Sequence, residues 1–255
     1  MTLADQESIE TAWNEPEGLT ARGTLFVLPG RGEDPSLYQR FGRRLSADAY
    51  RVRVLPDPVP DSGPVLARLS ALLTSQDTVG PKVLVGSDTG ALYASWLVAS
   101  GELAGIDALI LAGLPTRDDA GLPAATPGSW DDELAARTSC PAHRGVLTNS
   151  AMRRGALFAG LPDGWLERAD LSQVKQPVLG IHGADDEISP LPAARVSYAA
   201  GPAARLVSVA GGRHDVLNDL THRTVAATIV LLLERLRLGP ELPVILADEA
   251  LEGEY

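Results

Sequence analysis

The stretch "LVGSDTG" (84–90) decides the fold of this chain. Leu84 and Val85 close an apolar run, "KVLVGS" (82–87), of the kind that builds a strand buried on both faces. The segment "GALYASWLVASG" (90–101) then continues with helical spacing. Between them, Gly86 and Gly90 bracket a sharp turn. In the pattern glycine–x–nucleophile–x–glycine, the central residue sits at the apex of a strained strand-to-helix turn. Here that residue is Asp88. Ser87 lies one place early, on the flank of the turn, and Thr89 opens the helix. The spacing selects a carboxylate rather than a hydroxyl.

Outward from this turn, apolar runs alternate with helical patterns. "GTLFVL" (23–28), "RVRVL" (51–55), "DALILAG" (107–113), "QPVLGIHG" (176–183) and "ARLVSVAG" (204–211) read as further strands. "PSLYQRFGRRLSADA" (35–49) places Leu37, Phe41 and Leu45 on one helical face. "SGPVLARLSALLTSQ" (62–76) does the same with Leu66, Leu69, Leu72 and Leu73, and "THRTVAATIVLLLERLRLG" (221–239) is a long closing helix. "SIETAWNEP" (8–16) is a candidate antiparallel edge strand. The alternation predicts an α/β fold with a mostly parallel central sheet flanked by helices. Residues 115–175 break the rhythm. A Pro-, Gly- and Asp-rich loop, "PTRDDAGLPAATPGSW", leads into short helices at "DDELAARTS" and "SAMRRGALFAG". The predicted organisation is a core of residues 1–114 and 176–240, a helical insertion at 115–175, and a tail at 241–255 with no assigned role.

Composition bounds the function. A chain of 255 residues with 45% hydrophobic content can bury a full core. Its formal net charge of −11 argues against nucleic acid or an anionic membrane as partner. The single cysteine, Cys140, excludes an internal disulfide and argues against a zinc cluster. The polar, acidic start "MTLADQESIE" does not read as a signal peptide, and no apolar run is long enough to span a bilayer. A cytoplasmic protein is expected, with no metal and no cofactor. The oligomeric state, a homodimer included, is left open.

Two more polar motifs stand at the C-terminal ends of predicted strands, where open α/β sheets bind ligands. "IHGADDEISP" (181–190) supplies an acid and "GGRHDVLND" (211–219) supplies His214. With Asp88 the chain order is nucleophile, acid, histidine. That is the order of the α/β-hydrolases.

The chain resembles that superfamily, and within it the monoacylglycerol lipase and lysophospholipase group. "LFVLPGRGEDPSLYQRFGRRLSADAYRVRVLPD" is similar to the family's strand, oxyanion loop, helix and next strand. "LVGSDTGALYASWLVA" is similar to its nucleophile turn, "VLGIHGADDEISP" to its acid loop and "GGRHDVLND" to its histidine loop. The resemblance implies the α/β-hydrolase fold, a cap at 115–175, and a triad of Asp88, His214 and Asp186, with Asp185 one place off register. It also implies an oxyanion hole from the backbone N–H groups of Arg31 and Thr89. The substrate is then a small, mostly apolar molecule under the cap.

Two departures stand out. "PG" (Pro29, Gly30) replaces the usual "HG", and Asp88 replaces the usual serine, as in haloalkane dehalogenases and epoxide hydrolases. Thr89 stands where dehalogenases often carry a tryptophan. Residues 115–175 contain no tyrosine to protonate an opening epoxide. The expected reaction is hydrolysis of an epoxide, halide or ester-like bond. The competing readings are an esterase or thioesterase using Ser87, a non-hydrolytic lyase, cyclase or isomerase, and a binding protein without chemistry.

Each candidate also has a plainer role. Asp88 alone could be a helix cap. Ser87, Trp130 and Trp165 are either pocket walls or packing. The Arg31 side chain is either solvated or placed to hold a substrate carboxylate. His182 reads as a structural hydrogen-bonder.

Overall fold

The computed structural model describes residues 11–116 and 128–247. The elements run β1 (Thr11–Trp13), β2 (Gly23–Leu28), α1 (Gln39–Ala47), β3 (Tyr50–Val54), α2 (Ser62–Leu73), β4 (Lys82–Ser87), α3 (Thr89–Ala99) and β5 (Ala108–Ala112). After β5 come α4 (Trp130–Arg137), α5 (Pro141–Asn149) and the single turn α6 (Trp165–Arg168). The chain then returns to the sheet through β6 (Val178–Gly183), α7 (Leu191–Ala199), β7 (Ala204–Val209) and α8 (His222–Leu238).

Among the described residues, seven strands form one sheet in the order β1-β3-β2-β4-β5-β6-β7. Of these, β1 alone is antiparallel, paired to β3 with Thr11 opposite Val54. Strands β2, β5 and β6 are buried at every position because both faces of the sheet are covered. Alternate residues point to opposite sides. Leu25, Val27, Val83, Val85 and Ile110 pack under α1 and α8. Phe26, Leu28, Leu84, Leu109 and Leu111 pack under α2, α3 and α7. The strand β7 at the far edge is only partly buried.

The sheet and its main helices lie where the sequence places them. The segment from 115 to 175 differs in detail. The expected helix at 150–160 reduces to one 3-10 turn, Ala156–Phe158. Gly155 holds φ 81° there, which a continuous helix does not tolerate. Instead α5 forms just upstream, started by Pro141 at its first position. Helix α2 buries Val65 in place of Leu66. The end of the tail, from Asp248 onward, lies outside the described residues.

Candidate active site

Parallel strands β4, β5 and β6 end on one edge, and the loops that leave this edge bring the polar motifs together. The turn after β4 is the tightest. Asp88 holds φ 49° and ψ −122° and donates its N–H to Ala112 O at 2.9 Å. The bracketing glycines are required by close approach. A Cβ on Gly86 would lie 2.4 Å from Ala91 Cα, and one on Gly90 would lie 2.1 Å from Leu28 O. Both obstacles are backbone, so no rotamer change relieves them.

The Asp88 side chain makes no capping bond to its own helix. It faces inward, with 0% of the residue exposed. His214 Nε2 stands 3.2 Å from Asp88 Oδ1. The N–H is not aimed at that oxygen, so the contact is an ion pair rather than a hydrogen bond. On its other side, His214 Nδ1 lies 2.9 Å from Asp186 Oδ2. Asp186 Oδ1 accepts from the N–H groups of Ile188 and Ser189, both at 2.9 Å. Asp185 is exposed and takes no part. His182 is buried behind the acid. Its Nε2 meets Ser189 O at 2.5 Å and lies 3.4 Å from Asp186 Oδ2.

Arg31 closes the other side of Asp88. Its guanidinium grips the carboxylate with two prongs, Nε to Oδ2 and Nη2 to Oδ1, each 2.8 Å. Its backbone N–H also donates to Oδ2, at 3.0 Å. Nη1 donates to Ala159 O in the helical segment, at 2.7 Å. The backbone N–H expected to receive an oxyanion thus holds one oxygen of Asp88. The N–H of Thr89 is a first-turn donor of α3, a position without an intrahelical acceptor.

The charges settle one another. Burial alone would push the Asp88 pKa up, but Arg31 and His214 together hold it well below the usual carboxylate range. Burial would likewise depress His214, yet Asp186 and Asp88 raise it to about 10. The resting site is therefore an imidazolium between two carboxylates, with a guanidinium against one of them.

A second buried cluster adjoins the first, and no motif reading found it. Arg137 of α4 is fully buried. Its nitrogens reach Glu133 Oε1 at 3.1 Å, Glu33 Oε1 at 3.2 Å, Asp215 Oδ1 at 3.3 Å and the carbonyl of Arg31 at 3.1 Å. Glu33 also accepts from Tyr38 Oη at 2.5 Å and from Gly30 N at 2.8 Å. Burial, with the charge of Asp215, pushes Glu33 up to about 7. Helix α4 is further tied to the histidine loop. Its end carbonyls, Ala136 O and Arg137 O, accept from His214 N at 3.3 Å and Asp215 N at 2.8 Å.

The other expected residues stand apart. Ser87 is buried at the end of β4, beside the Tyr38 hydroxyl, and the ring nitrogens of His214 face Asp88 and Asp186 instead. Trp130 opens α4 under the guanidinium of Arg154, 4.8 Å from its ring. Trp165 stacks on Tyr93 at 5.0 Å, on the α3 face of the sheet. Neither tryptophan hydrogen-bonds to Asp88 or His214, and Trp130 Nε1 has no partner among the described residues. Among the described residues no group of His, Cys, Asp or Glu forms a metal site, and no helix is long and apolar enough to cross a membrane.

No protein-family model matches the chain. No curated protein matches it either. Solved structures do. A soluble variant of monoglyceride lipase from Saccharomyces cerevisiae superimposes with a TM-score of 0.71 at 16% identity, covering 89% of this chain and 91% of that one. An esterase from Rhodococcus matches with a TM-score of 0.68 at 18% identity, over 88% and 94% of the two chains. The enol-lactonase from Burkholderia xenovorans matches with a TM-score of 0.66 at 17% identity, over 87% and 94%. The chain has the α/β-hydrolase fold.

Proposed function

We propose that this protein is an α/β-hydrolase-type enzyme whose nucleophile is Asp88. It acts on a small, mostly apolar electrophile bearing an epoxide, halide or ester-like bond. The helical segment at 115–175 serves as a cap on a core of residues 1–114 and 176–240. The observation that carries this reading is the apex carboxylate. Asp88 sits in a strained backbone conformation, caps nothing, and faces an imidazole whose far nitrogen is held by an acid. A mere capping residue needs none of this.

For a halide or epoxide, Asp88 Oδ1 attacks the carbon, and the bond to the leaving atom breaks with its electron pair. Oδ2 becomes the carbonyl oxygen of an alkyl ester, still held by Arg31 N. Asp88 has then lost its charge, and His214 has one anionic neighbour where it had two. Its pKa falls, so it gives up its proton and can take the next one from water. The water oxygen adds to the ester carbonyl, and the N–H groups of Arg31 and Thr89 stabilise the oxyanion. Collapse releases the alcohol, protonated by His214, and restores the Asp88 carboxylate. The high resting pKa of His214 thus delays the base until the ester exists.

The test is intact-protein mass spectrometry after a denaturing quench. A substrate-sized mass increase mapped to Asp88, and absent from Asp88→Asn, is the expected result. An adduct on Ser87, or full activity in Asp88→Ala, would overturn the proposal.

The two-pronged bridge from Arg31 favours a second reading, in which the fold persists as a binding protein. A nucleophile gripped at both oxygens is a weak one. That reading expects saturable ligand binding with no adduct and no turnover.

A further inference from the structure

We infer that Arg31 is a substrate-binding residue and that the substrate is a carboxylic acid with its reactive carbon next to the carboxylate, such as a 2-halo or 2,3-epoxy acid. The inference rests on the Asp88 reading. It begins with the charge of a buried cation.

Arg31 is 6% exposed, and its carboxylate partner is Asp88. When Asp88 becomes an ester, the guanidinium loses that counter-charge. An uncompensated buried charge is strongly disfavoured. Arg31 cannot simply withdraw to water, because Nη1 is anchored on Ala159 O and the side chain is enclosed. His214 offers no relief, since it is itself basic. An anion has to arrive with the substrate.

Two observations say where that anion sits. A guanidinium has five N–H donors. Three are spent, on Asp88 Oδ1, Asp88 Oδ2 and Ala159 O. The remaining two, one on Nη1 and one on Nη2, have no acceptor among the described residues and are left for a planar carboxylate. The second observation is directional. In a backside displacement the leaving atom departs on the far side of the carbon from the attacking oxygen. Arg31 lies on the near side, against both oxygens of Asp88, so it does not receive the leaving group. It reaches a substituent carried beside the line of attack. A carboxylate on the reacting carbon or its immediate neighbour meets that condition, and the rest of the molecule can remain apolar.

The reaction then balances without another group. A 2-halo acid gives halide and the Asp88 ester, and Arg31 exchanges the Asp88 charge for the substrate carboxylate. Water attack releases the 2-hydroxy acid, a proton and the original Asp88.

The binding arm of the test uses Asp88→Asn, whose neutral side chain imitates the esterified state. Butanoate and butanamide differ only in charge at one end. Butanoate should raise the Tm of Asp88→Asn saturably and bind it about tenfold or more tighter than butanamide, as a charge-assisted, two-pronged contact requires. Native protein, with Arg31 already occupied, should respond less, and Asp88→Asn/Arg31→Met should lose the preference. Equal responses to the two probes in Asp88→Asn would overturn the inference. The chemical arm uses native protein with 2-bromobutanoate against 2-bromobutanamide, and glycidate against glycidamide. The acids should label Asp88 about tenfold faster or more. Amides that label Asp88 as fast as the acids overturn the inference and leave the Asp88 nucleophile standing. Labelling of Asp88 by none of the four, with butanoate still preferred by Asp88→Asn, keeps the carboxylate site and removes the nucleophile.

Discussion

At Asp88 the backbone sits at φ 49° and ψ −122°, a conformation that costs a non-glycine residue about 1–3 kcal/mol. The residue was identifiable because glycine spacing is a steric fact of one strand and one turn. Its neighbour Ser87 is the control. Ser87→Ala should keep kcat within about threefold, while Asp88→Asn should lower it by about a thousandfold or more. Steady-state kinetics on an electrophile that labels Asp88 decide between them. The grip of Arg31 could not be read in the same way. It depends on how a long side chain folds back across a loop, which no local pattern records. Its energetics are testable through stability. Arg31→Met alone leaves the buried Asp88 carboxylate without its guanidinium partner and should cost about 3–5 kcal/mol. Removing both partners, in Arg31→Met/Asp88→Ala, should recover a substantial part of that loss. Denaturant midpoints for the single and double variants measure the difference.

Helix α4 shows why one element of the site escaped the sequence. Glu133 and Arg137 are four residues apart, the spacing of a solvated surface pair. In the fold the same pair is buried, because the loops after β2 and β7 close over it. The burial follows from where the insertion lands, not from anything in "DDELAAR" itself. Helices α5 and α7 went unread for a related reason: "PAHRGVLTN" and "LPAARVSYA" carry small and polar residues with no continuous apolar stripe. The central strands were legible because each is a short apolar run between turn residues. Two variants probe the element scale. Arg137→Met strands Glu33, Glu133 and Asp215 without their shared cation and should lose about 3–5 kcal/mol. It should also lower kcat, because Arg137 holds the carbonyl of Arg31 and helix α4 holds the histidine loop. Gly90→Ala presses a methyl group against Leu28 O, which lies 2.1 Å from the Cβ position. It should cost about 3 kcal/mol, the upper range for overpacking, and shift Asp88 out of line. Chemical denaturation and the rate of Asp88 labelling read both effects.

Over the whole molecule, the buried charges set how stability follows pH. His214 is raised to about 10, above its ordinary value of about 6.5. Its contribution is full below the lower figure and is lost as pH rises through the higher one. Glu33 is raised from 4.5 to about 7, so its contribution is full below 4.5 and is lost as pH rises through 7. Asp88, Asp186 and Asp219 are lowered by their partners. Theirs is present above the ordinary carboxylate range and lost as pH falls below it. Together these place the stability maximum on the acid side of neutrality, near pH 5, with a continuous decline toward pH 10. The net charge of −11 pushes the same way, through self-repulsion that grows away from the isoelectric point of about 4.8. Salt separates the two causes. At about 1 M salt the Debye length is about 3 Å, so repulsion between surface charges is screened while buried groups are not. Unfolding free energy measured from pH 4 to 10 at that salt should still fall toward alkaline pH. Glu33→Gln should flatten the limb between 4.5 and 7 and leave the limb above 7 in place. If salt abolishes the upper limb, His214 is not cationic at rest, and its delayed activation by esterification of Asp88 is lost as a mechanism.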